Sequence, residues 1–196
     1  MRVGVDIDGV LADSLTLWVT ELNGYFNKNK RYEDILIYDL AQNFELTHEQ
    51  LMEFAQEKGP YLMSSPRPIP CAAEYLRKIK EEHFVAIVTA RQEKYREITE
   101  RWLQRQGMPY DELYMSGTYK KEGLCSSLGL QVMIEDTWEI GAALSEVGIP
   151  VLLLDAPYNR RDLPNLVTRI YNWEEIYQTI CSNKWPPSAA ARFSGG

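Results

Sequence analysis

The strongest constraint on the fold of this chain is a repeated alternation of short apolar segments with amphipathic segments between residues 71 and 181. Each apolar segment has the length of a strand, and the amphipathic segments have apolar residues at helical spacing. The predicted strands span residues 84–89, 113–116, 131–135, 151–154 and 166–170, and the predicted helices span 71–82, 93–106, 121–128, 138–147 and 173–181. Such an alternation is typical of a parallel sheet with helices on both faces.

The amino-terminal part of the chain has a different pattern. An apolar run that ends at Asp6 predicts a first strand, and residues 11–27 and 47–57 have helical spacing, the second behind a Thr-x-x-Gln capping box at Thr47. A proline-rich run at 65–70 predicts the return to the sheet. We therefore predict an α/β fold with a three-layer α/β/α, Rossmann-like core. Its predicted parts are a core at 1–13 and 69–183, a small helical cap at 14–68 inserted after the first strand, and a flexible tail at 184–196.

Composition and charge narrow the class of protein. A chain of 196 residues is long enough for one well-packed domain with a small insertion. Its formal net charge of −7 argues against binding to nucleic acid, which needs clustered Lys and Arg, but is compatible with a small phosphorylated substrate. No apolar stretch approaches the roughly 18 residues of a membrane span, and no signal-peptide pattern precedes the first strand. We therefore expect a cytoplasmic protein without a membrane partner.

The few histidines and cysteines are poorly placed for metal binding or nucleophilic catalysis. Cys71, Cys125 and Cys181 lie far apart in the sequence, and neither His48 nor His83 lies near a second nitrogen or sulfur ligand. A zinc site and a histidine-based catalytic triad are therefore not expected.

Two aspartates follow the first strand. Asp6 and Asp8 are two residues apart, so their side chains are predicted to project together from the carboxyl end of the strand, with Ile7 facing the packing layer. Two carboxylates this close repel each other unless they bind a divalent cation or share a proton. Either arrangement predicts a reactive site.

The other predicted strand ends supply complementary polar groups. In an open parallel sheet the binding site lies outside the carboxyl ends of the strands, so these groups are expected to converge. They are Thr89, Ala90 and Arg91 after strand 84–89, Lys120 and Lys121 at the start of helix 121–128, and Glu135 and Asp136 after strand 131–135.

Together these residues resemble the four motifs of the haloacid dehalogenase-like hydrolase superfamily. The motifs correspond, in chain order, to Asp6-x-Asp8-Gly9-Val10, Thr89, Lys121 and Glu135-Asp136. More narrowly, the segments at 88–91, 134–136 and 148–159 resemble bacterial nucleotidases of the 5'(3')-deoxyribonucleotidase type. The resemblance implies a phosphomonoesterase whose substrate is a small phosphorylated metabolite, and in the narrower case a nucleotide.

The resemblance also implies roles for the acidic residues. Asp6 would attack phosphorus and form an aspartyl phosphate, and Asp8 would act as general acid and base. Mg²⁺ would be held by Asp6, the backbone carbonyl of Asp8 and Asp136. Glu135 would orient water bound to the metal ion.

The remaining positions are implied to bind phosphate or substrate. Thr89, Ala90 and Lys121 would contact phosphoryl oxygens. Lys121 lies at the family's usual separation from Asp136, and Lys120 is the alternative. Arg91 would reach the far side of the substrate or pair with a cap carboxylate.

Two other protein classes carry comparable acidic segments, and the sequence disagrees with both. In a calcium-binding EF-hand, Gly9 would come too early, and the twelfth position counted from Asp6 is Leu17 rather than Glu. A bacterial receiver domain would carry its phospho-acceptor aspartate on the third strand, but residues 113–116 contain none. The inserted helical segment is also foreign to a receiver.

Substrate choice is expected to depend on the cap. Its aromatic side chains offer a stacking face for a nucleobase. They are Trp18, Tyr25, Phe26, Tyr32, Tyr38 and Phe44. A phosphosugar or another phosphometabolite is the alternative substrate class, and a catalytically idle binding or regulatory protein is the alternative function.

Overall fold

The computed structural model describes residues 1–182, and the predicted tail at 184–196 lies outside the described residues. The strands are β1 (Arg2–Val5), β2 (Ala12–Asp13), β3 (Arg67–Pro68), β4 (Phe84–Thr89), β5 (Glu112–Met115), β6 (Val132–Glu135), β7 (Val151–Leu154) and β8 (Val167–Ile170). The α-helices are α1 (Ser14–Phe26), α2 (Leu40–Phe44), α3 (His48–Ser64), α4 (Ala72–Glu82), α5 (Arg96–Arg105), α6 (Glu122–Ser127), α7 (Trp138–Glu146) and α8 (Trp173–Cys181). Within residues 1–182, none of the helices has the length and apolar character needed to cross a membrane.

Six strands form one parallel sheet in the order β5-β4-β1-β6-β7-β8. Val5 of β1 is paired with Ile87 of β4 and with Ile134 of β6, so the three central strands run in register toward the same edge. The parallel arrangement confirms the predicted α/β fold. It also brings the residues that follow these strands to one edge of the sheet.

Different helices cover the two faces of the sheet because successive side chains of a strand point to opposite faces. In β4, Val85 and Ile87 pack in a buried cluster with residues of α4, α5 and α8. The alternate residues Ala86 and Val88 pack in a second cluster with residues of α6 and α7. All four strand residues are fully buried, and the arrangement confirms the predicted three layers.

The chain between β2 and β3 forms three α-helices, α1, α2 and α3, around a separate apolar cluster. Its buried members include Val19 and Leu22 of α1, Phe44 of α2, and Phe54 and Leu62 of α3. Ala156 and Tyr158, which follow β7, belong to the same cluster. The helical insertion therefore packs against the carboxyl edge of the sheet rather than standing apart from it.

Helix α3 begins as predicted and ends later. The Thr47 side chain accepts the Gln50 N–H at 3.1 Å and the Gln50 side chain accepts the Thr47 N–H at 2.9 Å, which is the predicted capping box. The helix continues through Pro60 to Ser64, beyond the predicted end at residue 57. A Cβ atom at Gly59 would lie 2.2 Å from the hydroxyl of Tyr95, so glycine permits the close approach of α3 to the segment before α5.

The two passages of the chain between the sheet and the insertion lie side by side. Strands β2 and β3 pair antiparallel, with Ala12 opposite Pro68 and Asp13 opposite Arg67. Residues 14–66 therefore begin and end at this pair of strands, which we call the β2–β3 ribbon.

Candidate active site

Three carboxylates and a lysine meet at the carboxyl edge of the sheet. Asp6 follows β1, Glu135 ends β6 and Asp136 follows it, and one carboxylate oxygen of each lies within 4.8 Å of the others. Lys121, which immediately precedes α6, donates to Asp6 Oδ1 at 2.7 Å and to Glu135 Oε1 at 2.9 Å. All four residues are buried. The sheet thus concentrates three acidic groups around one cation in a site with little solvent.

Burial and the charges of their neighbours shift the pKa values of these groups. Burial raises the pKa of Asp6 to about 7, although the charge of Lys121 opposes the rise. Burial and the charges of Glu135 and Asp6 raise the pKa of Asp136 well above its usual value. For Lys121, burial favours the neutral amine, but Asp6 and Glu135 outweigh it and hold the pKa above its usual value. A divalent cation would relieve the repulsion among these carboxylates.

Glu135 is already engaged on both carboxylate oxygens. Oε1 accepts from Lys121, and Oε2 accepts the backbone N–H of Asp136 at 2.7 Å and of Thr137 at 2.9 Å. Glu135 therefore holds Lys121 and the start of the loop after β6. This leaves Asp6 and Asp136 as the carboxylates best placed to hold a metal ion, and their oxygen atoms suit Mg²⁺.

Asp8 lies at the same edge but has a different partner. Arg91 forms a two-bond salt bridge with it, from Nε to Oδ2 at 2.9 Å and from Nη2 to Oδ1 at 2.7 Å. The hydroxyl of Ser14 also donates to Oδ1. Burial alone would raise the pKa of Asp8, but the charge and hydrogen bonds of Arg91 outweigh it and the pKa lies below its usual value. Arg91 is thus paired with Asp8, not with a carboxylate of the insertion.

The remaining predicted positions are arranged around this edge. Thr89 ends β4, is 1% exposed, and its hydroxyl accepts the backbone N–H of Arg91 at 3.2 Å. Ala90 lines the cavity that opens beside the acidic cluster. Lys121 contacts the cluster, whereas Lys120 is exposed to solvent. The structure therefore brings Lys121 to the site and leaves Lys120 outside it.

Sequence reasoning assigned no role to Tyr158 and Asn159, which hold Asp136 in place. The Tyr158 hydroxyl donates to Asp136 Oδ2, and Asn159 Nδ2 donates to the Asp136 carbonyl at 2.6 Å. Burial and the nearby Asp136 raise the pKa of Tyr158 well above its usual value, so the hydroxyl stays protonated. Both residues lie in one turn of 3₁₀ helix, Pro157–Asn159. The only sequence signal for this turn was the resemblance of segment 148–159 to nucleotidases.

No residue other than glycine fits at position 9 without displacing a neighbouring side chain. Its φ is +83°, and a Cβ atom at this position would lie 1.9 Å from Asp136 Oδ2. A left-handed backbone favours glycine, and the missing side chain leaves room for the Asp136 carboxylate.

We expect Gly9→Ala to lower the free energy of unfolding by about 2–5 kcal/mol, because a left-handed alanine and a displaced neighbour both cost energy. Gly129→Ala is the matched control, since Gly129 has φ +61° but open space around its Cβ direction. The control should cost only about 1–2 kcal/mol. Urea unfolding of both variants measures the difference, and equal losses would show that the Asp136 contact has no effect.

A cavity of about 1400 Å³ opens over the acidic cluster, between the sheet edge and the helical insertion. Of the aromatic residues predicted to face a substrate, Trp18 and Tyr38 line this cavity. Tyr38 makes edge-to-face contacts with Tyr119 at 5.4 Å and with Tyr158 at 5.6 Å between ring centroids. By contrast, Phe44 is fully buried in the apolar cluster of the insertion.

Comparison with known sequences agrees with this geometry. The profile of the family described as "5' nucleotidase, deoxy (Pyrimidine), cytosolic type C protein" matches residues 1–185. A candidate nucleotidase of Halalkalibacterium halodurans is 31% identical over 175 residues, which are 89% of this chain and 89% of that protein. A 5'(3')-deoxyribonucleotidase of Bacillus subtilis is 24% identical over 182 residues, which are 91% of this chain and 97% of that protein.

Solved structures share the fold. A haloacid dehalogenase-like family hydrolase from Streptococcus pneumoniae superimposes with a TM-score of 0.65 at 17% identity, over 89% of this chain and 95% of that one. A haloacid dehalogenase-type hydrolase from Bacillus subtilis, solved bound to magnesium, gives a TM-score of 0.60 at 13% identity, over 92% of this chain and 98% of that one. The sequence match over almost the whole chain leads to one assignment, which the shared fold of haloacid dehalogenase-like hydrolases accompanies: the chain belongs to the 5' nucleotidase, deoxy (pyrimidine), cytosolic type C family and is a phosphomonoesterase.

Proposed function

We propose that this protein is a Mg²⁺-dependent nucleotidase, which hydrolyses a nucleoside 5'- or 3'-monophosphate through an aspartyl phosphate on Asp6. The observation that supports this most strongly is the convergence of Asp6, Asp8, Lys121 and Asp136 on one cavity at the carboxyl edge of the sheet. Three separate segments supply them: Asp6 and Asp8 follow β1, Lys121 precedes α6, and Asp136 follows β6. The nucleotidase family and the relative that acts as a 5'(3')-deoxyribonucleotidase support the substrate class.

In the first step, a carboxylate oxygen of Asp6 would attack phosphorus while the bond between phosphorus and the leaving oxygen breaks. Asp8 would give its proton to that oxygen, so that the leaving group departs as an alcohol. In the second step, Asp8 would take a proton from water as the water attacks phosphorus. The bond between Asp6 and phosphorus then breaks, which releases inorganic phosphate and restores the Asp6 carboxylate.

The low pKa of Asp8 suits the base half of this cycle, since the residue is ionised before water attacks. A bound phosphoryl dianion brings negative charge close to Asp8. Like charge raises the pKa of a carboxyl group, so substrate binding favours the protonated form needed for the acid half. One residue can therefore serve both steps.

Asp6, the backbone carbonyl of Asp8 and Asp136 would hold the Mg²⁺ ion. Support comes from the carboxylate oxygens within 4.8 Å of one another and from the raised pKa of Asp136. When bound, the ion would neutralise charge on the phosphoryl oxygens. Lys121, Thr89 and the backbone around Ala90 would bind the remaining phosphoryl oxygens.

Residues 14–68 would act as the cap that encloses the leaving group. Trp18 and Tyr38 of this segment face the cavity, and Tyr119 meets Tyr38 from the loop before Lys121. Flat aromatic surfaces of this kind suit a nucleobase. A cavity of about 1400 Å³ also has room for a whole nucleoside.

We expect the protein to release phosphate from nucleoside monophosphates in the presence of Mg²⁺. The rate of release should fall to background when EDTA removes the ion, because the carboxylate cluster would then lack the positive charge of the metal. The measurement is a colorimetric phosphate assay over a panel of 5'- and 3'-nucleotides and phosphosugars, with Mg²⁺ restored after chelation. Unchanged release under EDTA would contradict metal dependence. Release from phosphosugars alone would move the substrate assignment to another class of phosphometabolite.

A further inference from the structure

The guanidinium group of Arg91 joins three parts of the molecule. Its side chain is only 2% exposed. Besides the two bonds to Asp8, Nη1 donates to the carbonyl of Met63 at 3.1 Å and to Thr99 Oγ1 at 3.2 Å. Met63 lies in the last turn of α3, and Thr99 lies in α5. The orientation of the guanidinium plane is therefore set from the side opposite Asp8.

A guanidinium that binds a carboxylate through two parallel N–H groups holds it in one orientation, which a lysine ammonium cannot do. At Asp8, Oδ1 accepts from Arg91 and from Ser14. Among the described residues, Oδ2 accepts a side-chain hydrogen bond only from Arg91 Nε. Oδ2 thus accepts fewer hydrogen bonds than Oδ1 and is the oxygen of Asp8 better able to bind a further partner.

We propose that Arg91 is a positioning residue that aims Oδ2 of Asp8 at the leaving-group oxygen of the substrate. The inference rests on the proposed function, since it takes Asp8 to exchange protons with the leaving group. Met63 and Thr99 hold the guanidinium, the guanidinium holds the carboxylate, and the carboxylate meets the substrate. Arg91 itself needs no contact with the substrate in this arrangement.

An arginine of α5, Arg105, allows this role to be separated from a merely structural one. Arg105 Nη2 donates to the carbonyl of Ser64, the neighbour of Met63, so it also ties α5 to the end of α3. Arg105 is exposed, and among the described residues its side chain donates to Ser64 and not to Asp8. Arg105→Lys therefore weakens another tie between α5 and the insertion and leaves Asp8 in place.

The experiment compares two phosphate esters in wild type, Arg91→Lys and Arg105→Lys with Mg²⁺ present. Thymidine 5'-monophosphate has an alkoxide leaving group that needs a proton, whereas 4-nitrophenyl phosphate releases a stable phenolate. The second step is common to both esters, so the rate compared is that of the first step, followed in a single turnover as release of thymidine or 4-nitrophenolate. We expect Arg91→Lys to lower this rate about 10- to 100-fold on the nucleotide and to change it about threefold or less on the aryl ester. Arg105→Lys should leave the ratio of the two rates unchanged.

Two further variants make the result decisive. In an Asp8→Asn background, Arg91→Lys should no longer change the ratio of the rates on the two esters, because the carboxylate that Arg91 positions is gone. Thr99→Val removes one support of Nη1 and should shift the ratio in the same direction as Arg91→Lys but less. It also replaces Arg91→Lys if circular dichroism shows that the lysine variant is unfolded.

Equal losses on both esters in Arg91→Lys, or the same ratio shift in Arg105→Lys, would overturn the positioning role while leaving the nucleotidase proposal intact. Failure of the wild-type protein to release phosphate from either ester would instead overturn the proposed function, and this inference with it.

Discussion

Asp6→Asn should lower kcat for phosphate release by roughly 10⁴- to 10⁶-fold, the range seen when a member of a covalent catalytic unit is removed. An amide has nearly the shape of the carboxylate but is a far weaker nucleophile toward phosphorus. Its oxygen can still accept the hydrogen bond from Lys121, so the buried site should keep its geometry. Steady-state phosphate release measures the loss, and circular dichroism checks the fold.

The aspartyl phosphate itself can be tested in the same experiment. Wild-type protein quenched in acid during turnover of ³²P-labelled nucleotide, before the second step is complete, should retain label, and Asp6→Asn should not. Asp34→Asn is the matched control, because Asp34 pairs with Arg31 in the insertion and should leave both readouts unchanged. Turnover by Asp6→Asn close to that of wild type would refute the covalent mechanism.

The second large effect is expected for Lys121→Met, which keeps the length of the side chain and removes its charge. Lys121 is 0% exposed and is held by Asp6 and Glu135, so its loss leaves two buried carboxylates without their cation. We expect the free energy of unfolding to fall by about 3–5 kcal/mol in metal-free buffer. The loss should be smaller with Mg²⁺, which binds the folded state and supplies positive charge. Loss of a donor to the phosphoryl group should also lower kcat about 10²- to 10³-fold.

Lys120→Met is the natural control, since the two lysines are adjacent and only Lys120 is exposed. Its effect on stability should stay within about 0.5 kcal/mol, as expected for a surface substitution. Urea unfolding with and without Mg²⁺, together with phosphate release, measures both variants. Similar losses at the two positions would show that the charge of Lys121 is not specific to the site.

The sheet was predictable from the sequence because its signals are local. Each core strand is a short apolar run, and a parallel order places the ends of those runs at one edge. This is why Asp6, Lys121 and Asp136 were expected to meet. The start of α3 was predictable for the same reason, since the capping box at Thr47 involves residues three apart.

Other features depend on contacts between residues that are far apart in the sequence, and local sequence patterns do not indicate such contacts. Arg91 and Asp8 are 83 residues apart in the chain, and nothing in either segment indicated that they would pair. The hydrogen bond from Tyr158 to Asp136 is likewise tertiary. The end of α3 was misplaced because proline usually terminates a helix, whereas here packing of the surrounding turns maintains the helix through Pro60.

The β2–β3 ribbon has a consequence for how such enzymes diversify. Residues 14–66 begin and end next to each other, because the two strands that flank them are paired. The whole segment can therefore be replaced by another one whose ends are equally close. The entropic cost of closing a loop rises slowly with its length, so a longer or shorter segment would disturb the sheet little. A replacement would need to match the apolar surface offered by Ala156 and Tyr158 and the contacts that α3 makes with Tyr95 and Arg91. Substrates with other leaving groups could thus be accommodated while the residues at the carboxyl edge of the sheet, which break the phosphate ester, stay the same.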